Sequence, residues 1–177
     1  MAKKHNLPLR GVNSDGAAVS VREVDLGYLA QLAGWGDFVS AADNMLRAQA
    51  LAIPEDYRTP VRRGMMTVWR IAPDRVLVRS DAKLDFTSTE SVVALDLSHA
   101  RVCLALEGPG AAGLLSRVIA LDFSETAFPV GTFVQTSLHH VGVLIERTGE
   151  REFMAFIPTT WARSLTDLLV THLAIAA

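Results

Sequence analysis

One cysteine, Cys103, is all the thiol chemistry that the 177 residues hold. An intrachain disulfide is therefore excluded, and a zinc cluster built from cysteines cannot form. Charge of one sign is scarce as well. The formal net charge is −2, which leaves no electrostatic footprint for nucleic acid or an anionic membrane. No apolar run approaches the length of a membrane span, and the opening MAKKHNLPLRG has two lysines but no apolar stretch behind them, so neither secretion nor insertion is expected. Those absences fit a cytoplasmic protein. Low-complexity sequence is missing too. What is present is an ordinary globular composition, 50% apolar and 20% charged, long enough for one sizeable core or for two subdomains sharing one.

Residues 1–25 are mixed, with Gly11, Asn13, Asp15 and Gly16 marking a loop, and read as an extended N-terminal arm. A single domain is expected over 26–177, in halves of about 26–97 and 98–177. In the first half Leu26, Tyr28, Ala30 and Leu32 alternate as a strand and Gly34 and Gly36 break it. Asp37 can then cap a helix carrying Phe38, Ala41, Ala42, Met45 and Gln49, which ends before Pro54. PEDYRTPVRRG reads as a connection, MTVWRI (66–71) and RVLVRS (75–80) as a hairpin, and SVVALDL (91–97) as a strand. The second half repeats this order: strand 100–106, helix 109–119, the hairpin TFVQTSL and VGVLIER around His139 and His140, and the strand EFMAFIP. A last helix starts near Thr159 or Thr160 and buries Trp161, Leu165, Leu168, Leu169 and Leu173. The fold class is α+β: two similar strand-helix-hairpin-strand halves, antiparallel sheets with helices on one face.

One stretch raises a specific question. LALEGPGAAGLLSR places Gly108, Gly110 and Gly113 in the spacing of a dinucleotide-binding loop. Its surroundings argue against that use. Pro109 removes a backbone donor and fits the first position of an ordinary helix. RVCLALE alternates, whereas the first strand of a nucleotide fold is apolar nearly throughout. Asp122 and Glu125 fall short of the ribose-binding offset of about 20 residues. A strand, a glycine turn and a helix suffice.

Other candidate groups do not assemble into a site either. Ser98 and His99 are adjacent, and neighbours on an extended segment point to opposite sides. The same holds for His139 and His140 as joint metal ligands, which are expected to be exposed loop residues. Cys103 lies among small and polar residues with no activating base, as a structural thiol would. Asp96, Asp122 and Glu125 sit near element ends with no spacing that pairs two of them. Met65, Met66, Trp69 and Trp161 fit core or partner-contacting surface. No catalytic, cofactor-binding or metal-binding residue is assigned.

From residue 92 onward the motifs follow a familiar order: D-L-S-H at Asp96 to His99, G-P at Gly108 and Pro109, L-D-F at Leu121 to Phe123, F-P-x-G at Phe128 to Gly131, Q-T-x-L at Gln135 to Leu138. Together with WRIAPDRVLV (69–78), they resemble the gamma subunit of heterotetrameric sarcosine oxidase over roughly 26–173. The resemblance implies a fold related to the folate-binding region of the glycine-cleavage aminomethyltransferases. It also implies a noncatalytic subunit packed directly on alpha, in a complex with beta and delta. FAD, FMN, NAD, tetrahydrofolate and zinc would be held by those other subunits and none by this chain. The implied reaction of the assembly is oxidative demethylation of sarcosine to glycine, with peroxide formed and a one-carbon unit passed to tetrahydrofolate. Two alternatives stay open: a gamma-like subunit of a related N-methyl amino acid dehydrogenase, and a free-standing folate-binding protein of aminomethyltransferase type.

Overall fold

The computed structural model describes residues 8–174. In chain order these form β1 (Leu9–Val12), β2 (Ala18–Val24), β3 (Tyr28–Gly34), α1 (Phe38–Arg47), β4 (Val61–Arg63), β5 (Met66–Ala72), β6 (Arg75–Ser80), β7 (Val92–Asp96), β8 (Arg101–Glu107), α2 (Ala111–Val118), β9 (Phe133–Leu138), β10 (Val141–Gly149), β11 (Glu152–Pro158) and α3 (Ala162–Thr171). They fall into two compact units: Leu26–His99, and Met1–Asp25 together with Ala100–Ala177. All strand pairs are antiparallel, as the α+β reading requires.

The unit of residues 26–99 holds a five-stranded sheet in the order β4-β5-β6-β3-β7. The other holds a six-stranded sheet in the order β1-β2-β8-β11-β10-β9. Each is built on one plan. A first strand (β3 or β8) leads through a glycine turn to a helix (α1 or α2). A three-strand meander (β4-β5-β6 or β9-β10-β11) then returns, and its last strand pairs with the first. The spacing from first strand to helix is identical, Tyr28 to Phe38 and Arg101 to Ala111. Each meander also carries a register shift at the same turn, between Arg70 and Ala72 and between Arg147 and Gly149.

The fifth strand of each plan is exchanged. β2 immediately precedes β3 in sequence yet pairs with β8, and β7 immediately precedes β8 yet pairs with β3. Residues 8–25 are therefore not an arm, and residues 1–7 of the expected arm lie outside the described residues. Val19 and Val21 are buried in the core beside Leu104 and Leu106, and the turn Asn13 to Ala17 closes the β1–β2 hairpin.

In the 26–99 unit, α1 buries Phe38, Ala42 and Leu46 on Leu32, Val68, Val76, Val78 and Val92. In the other, Leu114 and Leu115 of α2 and Leu165 and Leu169 of α3 cover Val21, Leu104, Leu106, Val143, Ile145 and Ile157. Helices on one sheet face are what the apolar spacing demands. The opposite face of β8 is also covered, since Cys103 and Ala105 are buried. Reading RVCLALE as half-exposed fails because small side chains hide their burial.

Several boundaries differ from expectation. Val61–Arg63 forms a short strand inside the expected connection. Asp37 makes no side-chain cap and Gln49 lies beyond α1. Pro109 sits in the turn, with Gly110 as the residue before α2. The last helix opens with a 3-10 turn, Thr159–Trp161, which turns Trp161 out to 49% exposure.

One buried cation holds the longest loop. Arg147, 5% exposed, stacks over Phe153 and donates to the carbonyls of Phe123, Phe128, Gly149 and Glu150. Phe123, Phe128 and Phe153 pack edge-to-face and stacked around it. Arg70 stands at the matching bulge and stacks over Tyr57, with a long contact to Pro54 O.

Two outcomes follow. A Cβ at position 34 would collide with the backbone oxygen of Ser91. Gly34→Ala should therefore destabilise by about 2 kcal/mol or more in urea unfolding, the scale of overpacking against backbone. His139 and His140 both hold positive φ, 46° and 70°, in the two-residue turn joining β9 to β10, where Asn-Gly is preferred. Replacing the pair by Asn-Gly should raise stability by about 1 kcal/mol in the same measurement.

Candidate functional site

The glycine turn is the natural place to look for a ligand, and the protein itself fills it. Gly108 has φ +115, and a Cβ there would lie 2.5 Å from Ala18 O. At Gly110 it would lie 2.5 Å from Ala17 O, and at Gly113 2.8 Å from Asn13 Nδ2. The amide of Gly110 donates to Ala18 O at 3.0 Å and that of Gly108 to Arg151 O at 3.0 Å. Asn13 donates to Gly110 O at 3.3 Å, while its own oxygen accepts from the amides of Asp15 and Ala17. A phosphate cradle requires free amides at a helix start, and here the Gly110 amide is spent on Ala18 and the Gly108 amide on Arg151, while residues 13–18 occupy the space beside the glycines. The sequence reading did not anticipate this filling, because the Asp15-Gly16 turn signal flanked by alternating valines was not taken as a hairpin.

The D-L-S-H residues have a comparable use. Ser98 Oγ donates to Asp96 Oδ1 at 2.6 Å and accepts from the Leu29 amide at 3.1 Å, and the Ser98 amide donates to the same carboxylate oxygen at 3.0 Å. The bonds from Ser98 hold the Asp96 carboxyl below the usual carboxylate range, with Lys83 and His99 adding smaller favourable charge. Ser98 thus ties the end of β7 to β3, and its hydroxyl is engaged on both sides. Tyr28 nearby is pushed up by burial and by the charges of Asp96 and Asp85.

The remaining candidates are dispersed. His139 and His140 are exposed at the tip of the β9–β10 hairpin, with ring centroids 5.5 Å apart. Cys103 is fully buried. Asp122 and Glu125 are exposed, and Asp122 is drawn down by hydrogen bonds from Ser124, whose amide lies at 2.8 Å. Met65 and Trp161 are exposed, Met66 is half-buried and Trp69 is core. Among the described residues no three His, Cys, Asp or Glu side chains meet as a metal site. A shallow groove of about 600 Å³ between α1 and the loop before β7 is lined by Ala41, Asn44, Met45, Thr89, Glu90 and Ser91. One carboxylate without a cation in the lining defines no chemistry there.

No protein-family model matches the chain. The sarcosine oxidase subunit gamma of Corynebacterium sp. (strain U-96) is 33% identical over 97 residues, 51% of this chain and 47% of that protein. The chain resembles a sarcosine oxidase gamma subunit. The aligned segment spans about half the length of that curated relative. A likeness of fold covers more of the chain: heterotetrameric sarcosine oxidase from Corynebacterium sp. U-96, in complex with pyrrole 2-carboxylate, matches with TM-score 0.78 and 24% identity over 94% of this chain and 91% of that one. The glycine cleavage system aminomethyltransferase T from Bartonella henselae matches with TM-score 0.57 and 18% identity, covering 85% of this chain and 45% of that one. Both expected fold relationships hold. No helix among the described residues is long and apolar enough to cross a membrane.

The Asp96 geometry gives a pH test. A carboxyl depressed in the folded state contributes stability that is present above its unfolded pKa and lost as pH falls through the folded value. Ser98→Ala should move the Asp96 titration, followed by NMR, upward toward that of a free carboxylate, and should flatten the acid limb of the stability profile accordingly.

Proposed function

We propose that this chain is a noncatalytic, structural subunit of gamma type in a heterotetrameric sarcosine oxidase. The assembly would demethylate sarcosine oxidatively to glycine, form peroxide and pass the one-carbon unit to tetrahydrofolate. The observation that carries this reading is the use to which the gamma-like motifs are put. The glycine turn is packed on residues 13–18, and D-L-S-H closes a strand end. The gamma-like motifs here support architecture, and the curated relative that the chain resembles is itself a gamma subunit.

In this reading the chain packs directly on the alpha subunit, with beta and delta completing a cytoplasmic complex. FAD, FMN, NAD, tetrahydrofolate and zinc belong to those partners. The filled glycine turn and the scattered ligand-type residues support assigning no cofactor, metal or catalytic residue to this chain, and no reaction step is routed through it. Its own contribution is a rigid surface of defined shape.

The test is co-expression with the other three subunits, carrying His99→Ala, Cys103→Ala, His139→Ala or His140→Ala in turn. Peroxide release with sarcosine should stay within a few-fold of the unsubstituted complex once assembly is checked by size-exclusion chromatography. A fall of orders of magnitude in an intact complex would place a chemical step on this chain.

A further inference from the structure

Each unit carries an arginine at its register shift, and the two are unequally satisfied. The turn beside them fixes the match: Gly34 N donates to Asp74 O at 3.1 Å, as Gly108 N does to Arg151 O at 3.0 Å. Counting back from those carbonyls, Arg70 corresponds to Arg147, Ala72 to Gly149 and Pro73 to Glu150. The ladders agree, with Arg70 opposite Val76 and Arg147 opposite Phe153. Arg147 turns its Nε and Nη2 edge onto its own hairpin, meeting Gly149 O and Glu150 O, while Nη1 reaches the loop carbonyls of Phe123 and Phe128.

Arg70 is turned to the loop alone. Its Nη1 makes a long contact of 3.5 Å to Pro54 O, its guanidinium carbon lies 5.0 Å from the centre of the Tyr57 ring, and its Nε is buried without an acceptor among the described residues. A buried donor left bare is disfavoured, and stacking on an aromatic ring offsets that loss only in part. The segment that Arg70 touches holds its own shape. Pro54 and Pro60 are buried and residues 55–59 between them are exposed. Asp56 closes the segment from within, accepting from the amides of Arg58 and Thr59 at 2.7 and 2.6 Å and from the Thr59 hydroxyl at 3.0 Å. A strap bonded within itself swings about its ends rather than unravelling.

We propose that Arg70 is a two-position latch for the strap of residues 54–60. In the position described, Arg70 stacks on Tyr57 and fastens the strap, leaving Nε bare. In the second it turns the Nε and Nη2 edge onto the carbonyls of Ala72 and Pro73, as Arg147 does at the matching place, and Tyr57 and the strap are released. Each position holds what the other lacks, the stack or the hydrogen bonds, so the two lie close in free energy and both are populated. Arg147 has no such choice, because it meets loop and hairpin carbonyls together. The latch stands on the packing of residues 26–99 alone and does not depend on the subunit reading.

The test follows the arginine Nε–H groups of the full chain by NMR. Relaxation dispersion on the microsecond-to-millisecond scale is expected at Arg70 Nε and at the Tyr57 amide, and none at Arg147 Nε. Tyr57→Ala removes the stack and should settle Arg70 in the second position: the dispersion is lost, and a crystal structure of the variant shows Nε within hydrogen-bond distance of Ala72 O. Tyr57→Phe keeps the ring and should retain the dispersion. A flat profile at Arg70 Nε in the unsubstituted chain overturns the latch, as does equal dispersion at Arg147 Nε, which would report a motion common to both units. An Arg70 still directed at Pro54 O in Tyr57→Ala overturns it too. Should Tyr57→Ala fail to fold, the contrast between the two arginines in the unsubstituted chain decides alone.

Discussion

Everything in this fold depends on how closely one backbone approaches another at the turn after each first strand. Gly34 lies against Ser91 O, and Gly110 lies against Ala17 O. In each case the carbonyl belongs to the residue just ahead of the exchanged strand, and an amide of the turn donates nearby, Trp35 N to Ser91 O at 3.2 Å and Gly110 N to Ala18 O at 3.0 Å. A side chain at either glycine would push the exchanged strand off its neighbour. The helix could not then begin where it does, and the apolar faces of α1 and α2 would miss their sheets. The close approach at these two glycines thus decides the pairing of β2 and β7, and through them the completion of both sheets.

The same economy explains why residues that look chemical are structural. A glycine-rich turn, a Ser-His pair and an acidic residue near a strand end are the raw materials of many sites, yet chemistry needs polar groups left free to meet a substrate. Here Ser98 is engaged by Asp96 and by the Leu29 amide, and the turn amides meet carbonyls of the same chain. Arg147 satisfies four carbonyls in the interior.

Sequence periodicity revealed the repeated plan because Leu26, Tyr28, Ala30 and Leu32, and again Val102, Leu104 and Leu106, alternate as strands, and because α3 repeats Leu165, Leu168 and Leu169 at helical spacing. It did not reveal the strands at 9–24. Their apolar positions are few, and the partner that buries Val19 and Val21 lies some eighty residues away in sequence, a relation no local window contains. Trp161 was assigned to a buried face by its spacing from Leu165, but the 3-10 turn preceding α3 rotates it outward. The filling of the glycine turn by Asn13 to Ala18 depended on the undetected hairpin. Long-range pairing was not readable from local sequence.

The exchange of β2 and β7 also sets the order in which the chain can be completed during synthesis. Arg22 meets Glu107, a sequence separation of 85, so β2 leaves the ribosome long before β8 exists. Through that interval Val19 and Val21 stay wet, and β3 waits in the same way, more briefly, for β7. Non-local pairing of this kind slows folding and prolongs exposure to aggregation. The β1–β2 hairpin is therefore made well before the strand that seals it.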